Sequence, residues 1–235
     1  MWQGRRVSVV FPAYNEEVGI AHAVREFGAI EAVDEVVVVD NNSRDSTVAR
    51  AEGAGARVVR EPRQGYGNAL RRGLAEAQGE YVVLAEPDGT FMGKDVLKLL
   101  AYADDFDLVL GTRTTRELIW HGANMGWQLR WGNWVVAKLL QVLFGGPSLS
   151  DCGCTLRLIR RSAAERLLPR FTVGGSHFLP EMVCLALLNG LRLVEVPVNY
   201  RVRVGESKIT GSRSTTVRVG GRMVGLILRY RLIGR

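Results

Sequence analysis

The chain has 235 residues, 47% hydrophobic and 23% charged, which suits one soluble globular domain with a substantial core. Its three cysteines, two of them in Cys152-Gly153-Cys154, make neither a disulfide framework nor a zinc site and read as reduced thiols of a cytosolic protein. The net charge of +7 is uneven: positions 201–235 hold nine Lys or Arg and one acid, Glu206, so the first 200 residues are near neutral. A basic tail on a near-neutral body points to an anionic partner or to a solvated basic face.

The opening MWQGRRVSVVF has no apolar stretch of signal-peptide length. The apolar run 7-VSVVFP-12 predicts a strand closed by proline, and 15-NEEVGIAHAVREFGAI-30 has helical spacing. There follow a strand at 35-EVVVVD-40, a helix from about Ser43 to Gly53 and a short strand 57-RVVR-60. The helical 68-NALRRGLAEA-77 leads to a strand 81-YVVLAE-86, a helix near 95-DVLKLLAYA-103 and a strand 107-DLVLGTR-113. Nearly continuous β-branched runs imply strands covered on both faces, hence an α/β fold with a mostly parallel sheet between helix layers.

Positions 114–150 break this rhythm and hold four of the five tryptophans. Trp127, Trp131 and Trp134 share one helical face, which suits either core or a membrane interface, given Arg130 and Lys138 nearby. Beyond come 153-GCTLRLIRR-161, a helix around 178-FLPEMVCLALLNG-190 and a strand 192-RLVEVPVNY-200. The apolar segments 135-VVAKLLQVLF-144 and 223-MVGLIL-228 are too short or too interrupted to cross a bilayer.

In parallel α/β sheets, ligands bind beyond the carboxyl ends of the strands. Those ends read Pro12-Ala13-Tyr14-Asn15-Glu16, Asp40-Asn41-Asn42-Ser43, Glu86-Pro87-Asp88 and Gly111-Thr112-Arg113, too polar a rim for a packing surface. Tyr14 can lie beside a base, and Glu16 and Asp40 can accept from base or ribose donors. Glu86 and Asp88, two apart in extended chain, can hold Mg²⁺ or Mn²⁺. Taken singly, such acids are equally turn and helix-cap residues. The first strand is followed by neither a dinucleotide fingerprint nor a Walker A loop, and Gly65-Tyr66-Gly67 reads as a flexible loop.

The ordered set VSVVFPAYNEE, VVVVDNNSRDST, GYGNALRRGLAEAQGEYVVLAEPDGTF and LVLGTR resembles glycosyltransferase family 2 of the GT-A fold. Asp151-Cys-Gly-Cys-Thr-Leu-Arg157, Phe178-Leu-Pro-Glu181, VEVPVNY and RVRVGESK are similar, more narrowly, to dolichol-phosphate mannose synthases and related polyprenyl-phosphate glycosyltransferases. The resemblance implies transfer of a hexose from a nucleotide-sugar of the GDP-mannose or UDP-glucose type to a polyprenyl or dolichyl phosphate, with inversion and a divalent metal. It implies that Pro12, Tyr14, Glu16 and Asp40 hold the nucleoside, that Glu86 and Asp88 bind Mg²⁺ or Mn²⁺, and that Arg113 lies near the donor diphosphate. Arg203 and Lys208, with Arg201 as a possible substitute, match basic residues near the phosphates. A hydroxyl acceptor would need a general base, for which Asp151 is the first candidate and Glu181 the second. Each is equally read as a structural residue: Asp151 bracing the acceptor loop, Glu181 pairing with an arginine.

The chain departs from the resembled pattern at Glu86 for the first aspartate of Asp-x-Asp, at Asn41 for the second acid of Asp-Asp-x-Ser, at Thr90 for a glutamine and at Cys154-Thr155-Leu156 for Ser-Gly-Phe. The expected organisation is a single glycosyltransferase domain: a nucleotide-sugar half at 1–113, an acceptor half at 114–210 with an acceptor-loop insertion, and a basic amphipathic tail at 211–235. A helical tail and the tryptophan face would rest on an anionic membrane, giving a cytoplasmic protein peripheral to the cytoplasmic face, with no nucleic-acid partner. A helix packed on the domain or a dimer contact competes with that reading, and oligomeric state stays open. A soluble or glycan hydroxyl acceptor, a sugar nucleotidyltransferase and a non-catalytic nucleotide or membrane binder are the rival functions.

Overall fold

The computed structural model describes residues 1–123, 125–205 and 213–234. Among them seven strands form one sheet: β1 (Val7–Ala13), β2 (Glu35–Asp40), β3 (Arg57–Arg60), β4 (Tyr81–Leu84), β5 (Leu108–Thr112), β6 (Arg157–Arg160) and β7 (Leu193–Pro197). Their order is β3-β2-β1-β4-β6-β5-β7. All neighbouring pairs are parallel except those of β6, which runs antiparallel to both β4 and β5. The helices are α1 (Ile20–Gly28), α2 (Thr47–Gly53), α3 (Tyr66–Glu76), α4 (Asp95–Leu100), α5 (Trp127–Phe144), α6 (Arg161–Leu167), α7 (Phe178–Leu188) and α8 (Arg213–Ile233).

The apolar residues of the strands divide by alternation. Val10, Val37, Val39, Val82 and Leu84 face one core, shared with Leu70 of α3, Ala137 of α5, Met182 of α7 and Ile227 of α8. Val9, Phe11, Val36, Val38 and Val83 face the other, closed by Ile20 and Phe27 of α1 and Leu99 of α4. Burial on both faces is why these strands carry no polar stripe.

Several boundaries differ from the spacing of the sequence. The first helix starts at Ile20 rather than at 15 because residues 14–19 wrap the end of β1. Asn15 adopts a φ of 53°, its amide donates to Ser43 Oγ at 3.0 Å, and the Glu16 amide donates to Thr47 Oγ1 at 2.8 Å. Strand β4 ends at Leu84, so Glu86 and Asp88 stand on the loop beyond it. Gly65-Tyr66-Gly67 is not a loose loop but the opening of α3, pressed against residues 173–175. A Cβ on Gly67 would lie 2.6 Å from the Val173 carbonyl oxygen, and Gly65 has a φ of 144°. Helices α5 and α8 pack together, and α8 also contacts α7. Among the described residues no helix is long and apolar enough to cross a membrane.

Candidate active site

The parallel topology puts the ends of β1 and β4 side by side, and their loops enclose a cleft of about 160 Å³. Pro12, Tyr14, Glu16, Glu86, Asp88 and Arg203 line it together, as do Asn41, Gln64 and Tyr66. Asp40 ends the neighbouring β2, 6% exposed, and its Oδ1 accepts from the Ser43 amide at 3.0 Å, so one oxygen serves the turn. Asn41 is a clamp. Its Nδ2 donates to the carbonyls of Glu61 (2.8 Å) and Arg63 (2.9 Å), and its Oδ1 accepts from the Gly65 amide (2.7 Å), fixing the loop that leads into α3.

At the cleft floor Arg203 bridges the two acids, 2.5 Å from Asp88 Oδ2 and 3.2 Å from Glu86 Oε2. Asp88 Oδ1 accepts from the amide (3.0 Å) and hydroxyl (2.5 Å) of Thr90. Its Oδ2 is buried and, despite the ion pair, receives no hydrogen bond of acceptable geometry. Glu86 Oε1 is met by Thr155 Oγ1 at 2.9 Å and by the Tyr66 hydroxyl at 3.1 Å. Burial, then repulsion from Asp88, pushes the Glu86 carboxyl up to about 7, with the Arg203 charge opposing. The guanidinium of Arg203, in turn, is raised: burial disfavours its charge, but Asp88 and Glu86 outweigh that.

These features fit a divalent cation. Two hard carboxylates converge and one buried oxygen lacks a hydrogen bond, while Arg203, which bridges them, would have to yield part of that contact to a cation. No group of three or more His, Cys, Asp or Glu that could hold a metal occurs among the described residues. A cation here would complete its shell with water and substrate phosphate, as Mg²⁺ commonly does.

Beyond β5, Arg113 and Asp151 form a two-toothed pair, Nε to Oδ2 at 2.7 Å and Nη2 to Oδ1 at 2.9 Å, and the guanidinium lies 5.2 Å from the Tyr200 ring centre. Asp151 is held in place by Glu195 of β7, whose carboxylate accepts from the Asp151 amide at 2.8 Å. Burial alone would raise the Asp151 carboxyl, but the charge and hydrogen bonds of Arg113 hold it below its ordinary range. Both Asp151 oxygens are thus engaged by Arg113, the arrangement of a residue that braces its loop, the alternative that the sequence holds beside a general base.

Glu181 is engaged elsewhere. It is fully buried, and its Oε1 accepts from the Thr172 hydroxyl (2.7 Å), the Thr172 amide (2.9 Å) and the Tyr230 hydroxyl (2.7 Å), bracing α7 against α8 rather than lining the cleft. Arg201 faces away too: it pairs with Glu26 of α1 at 2.7 Å and donates to the Gly89 carbonyl at 3.0 Å. Lys208 lies outside the described residues. The three cysteines are buried and unbridged, and burial pushes the Cys154 thiol up to about 12.

A second cavity, about 260 Å³, adjoins Arg113 through its neighbour Thr114. Trp127, Trp131 and Trp134 line it with Arg116 and Arg130, and Arg130 Nη2 donates to the Thr114 carbonyl at 3.3 Å. These indoles are 70%, 59% and 40% exposed, so they are not core. Trp131 and Trp134 meet edge to face at 5.4 Å, and Lys138 Nζ lies 5.8 Å from the Trp134 ring centre.

Residues 8–168 match the family described as Glycosyl transferase family 2. The chain belongs to that family. An uncharacterised glycosyltransferase of Mycobacterium tuberculosis strain H37Rv is 36% identical over 212 residues, covering 89% of this chain and 92% of its own. The dolichyl-phosphate hexose transferase of Haloferax volcanii is 32% identical over 206 residues, 86% of each chain. Among solved structures, the glucosyl-3-phosphoglycerate synthase of M. tuberculosis, in complex with Mn²⁺, UDP-glucose and phosphoglyceric acid, superposes with a TM-score of 0.76 at 23% identity, over 97% of this chain and 80% of that one. That likeness establishes the GT-A fold. This family 2 glycosyltransferase thus presents its cleft at the strand ends, where the expected fold would put it.

Proposed function

We propose that this glycosyltransferase moves a hexose from a nucleoside-diphosphate sugar to a polyprenyl phosphate, with inversion at the sugar carbon, at an anionic membrane surface that it meets peripherally. A phosphate oxygen of the acceptor attacks the anomeric carbon, and the bond from that carbon to the donor diphosphate breaks. The nucleoside diphosphate leaves with the electron pair. A divalent cation held by Glu86 and Asp88, Mg²⁺ or Mn²⁺, would supply positive charge for that leaving group.

The observation that carries this reading is the commitment of both candidate bases. Asp151 is spent on Arg113 and Glu181 on the α7–α8 brace, so neither is presented to deprotonate an acceptor hydroxyl. A phosphate acceptor is already anionic and requires no such base. Tyr14, Pro12 and Glu16 offer a nucleoside site, with Asp40 at the next strand end. Arg113 and Arg203 set fixed positive charge at the phosphates, where it acts without reorganisation. The indole and guanidinium cavity suits a group with an anionic head and an apolar chain. The name of the Haloferax relative supports the same acceptor class. In this scheme residues 1–113 bind donor and 114–210 acceptor.

Basic α8 and the tryptophan face of α5 lie on packed helices without a single acidic residue, which suits a surface of anionic lipid. The test is donor turnover across GDP- and UDP-hexoses with Mg²⁺ or Mn²⁺, with and without prenyl phosphate in anionic vesicles. Lipid-dependent release of one nucleoside diphosphate is expected. Turnover with hydroxyl acceptors alone would remove the lipid reading and keep the family.

A further inference from the structure

Glu86, Tyr66 and Thr155 come from three separate segments: the loop after β4, the first turn of α3, and the 151–156 loop that also carries Asp151. Their polar atoms form a closed triangle. Tyr66 Oη lies 2.6 Å from Thr155 Oγ1, and Glu86 Oε1 lies 2.9 Å from Thr155 Oγ1 and 3.1 Å from Tyr66 Oη. Two hydroxyls own two hydrogens, so with Glu86 ionised only two of the three contacts are hydrogen bonds at any moment. The shortest contact joins the hydroxyls, and an O···O approach of 2.6 Å needs a hydrogen between them. Two hydrogen-bond chains satisfy this, and the one that uses the shorter contact to Glu86, 2.9 Å against 3.1 Å, has Tyr66 donating to Thr155 and Thr155 donating to Glu86 Oε1.

We propose that Thr155, oriented by Tyr66, is a positioning residue for Glu86 that ties the 151–156 loop to the cation site. One carboxylate oxygen is pinned by the loop, which leaves Oε2, paired with Arg203 at 3.2 Å, as the oxygen open to a cation. Tyr66 is itself fixed, because the flanking Gly65 and Gly67 press its turn against residues 173–175. Thr155 is 2% exposed, so water does not compete for its hydroxyl. Glu86 and Thr155 are two of the positions at which the chain departs from the pattern it resembles. Here they meet: the longer acid reaches a hydroxyl that a glycine would not supply.

The inference rests on the cation site of the proposed function, so its test reads the cation directly. Mn²⁺ affinity is measured by titration in the full-length protein, with the nucleoside diphosphate present and no acceptor, alongside thermal melting to verify folding. Thr155→Val keeps the shape and removes the hydroxyl, and is expected to weaken Mn²⁺ binding about 10- to 100-fold, as loss of a partner to a metal-binding side chain commonly does. Thr155→Ser should restore it. Tyr66→Phe should weaken it less. In a Glu86→Asp background, whose carboxylate falls short of Thr155, Thr155→Val should have no further effect. Wild-type affinity in a folded Thr155→Val protein overturns this inference alone. Absence of Mn²⁺ binding by the wild type overturns both it and the proposed cation.

Discussion

Arg113 and Asp151 hold each other through two parallel hydrogen bonds, with Asp151 fully enclosed and Arg113 largely buried beside it. The pair fixes a guanidinium where β5 ends and ties it to the 151–156 loop.

Replacing Asp151 with Asn should destabilise the protein by about 3–5 kcal/mol, because it strands a largely buried cation. Urea unfolding measures this. Since the Asp151 carboxyl is held below its ordinary range when folded, its contribution is present above the unfolded carboxylate value, near ~4, and is lost as pH falls through the folded value. The acid limb of the wild-type stability curve should therefore be steeper than that of Asp151→Asn.

Asp88→Asn should lower divalent-dependent turnover roughly 100-fold or more, since on the proposed mechanism it removes one of the two carboxylates that would hold the cation. Asn keeps an oxygen for Thr90 but breaks the ion pair with Arg203, so some loss of melting temperature is expected too, and turnover is read on protein that melting shows to be folded.

The Glu86 carboxyl, pushed up to about 7, must lose its proton to bind a cation. Cation affinity should fall by up to about tenfold per pH unit below 7 and level off above it. Arg203→Met removes the charge that lowers this carboxyl, and should move the break in the profile to higher pH. Mn²⁺ titrations at a series of pH values read both.

Trp131 is more than half exposed on the wall of the second cavity, so Trp131→Ala should leave stability nearly unchanged. KM for prenyl phosphate should rise about tenfold, a loss of ~1.4 kcal/mol, while KM for the donor stays put. Equal effects on both substrates would move the acceptor elsewhere.

Much of the fold was legible because strands β1, β2 and β5 are largely apolar runs, and each is followed by polar residues. The antiparallel β6 was not: 157-RLIR-160 has no local feature that reveals insertion between β4 and β5, which is decided by tertiary pairing. The convergence of Glu86 and Asp88 was legible from their place just beyond an apolar run, although the strand ends at Leu84 and both stand on the loop rather than in extended chain. Tyr66 and Thr155 were missed because they are 89 residues apart and gain meaning only when their hydroxyls meet at Glu86. Arg201 and Glu181 show the reverse: each matched a motif, yet distant partners, Glu26 and Tyr230, occupy them. The exposed tryptophans were legible as one face of a helix, while the cavity they form with Arg116 required a loop packed across from α5.

The most direct test is mass spectrometry of the organic extract after incubation with a nucleotide-hexose, Mn²⁺ and prenyl phosphate. The account predicts a new species heavier than the prenyl phosphate by one hexosyl unit, formed by the wild type and absent with Asp88→Asn. A hexose found only on water or on a soluble hydroxyl, with the lipid unchanged, would contradict it.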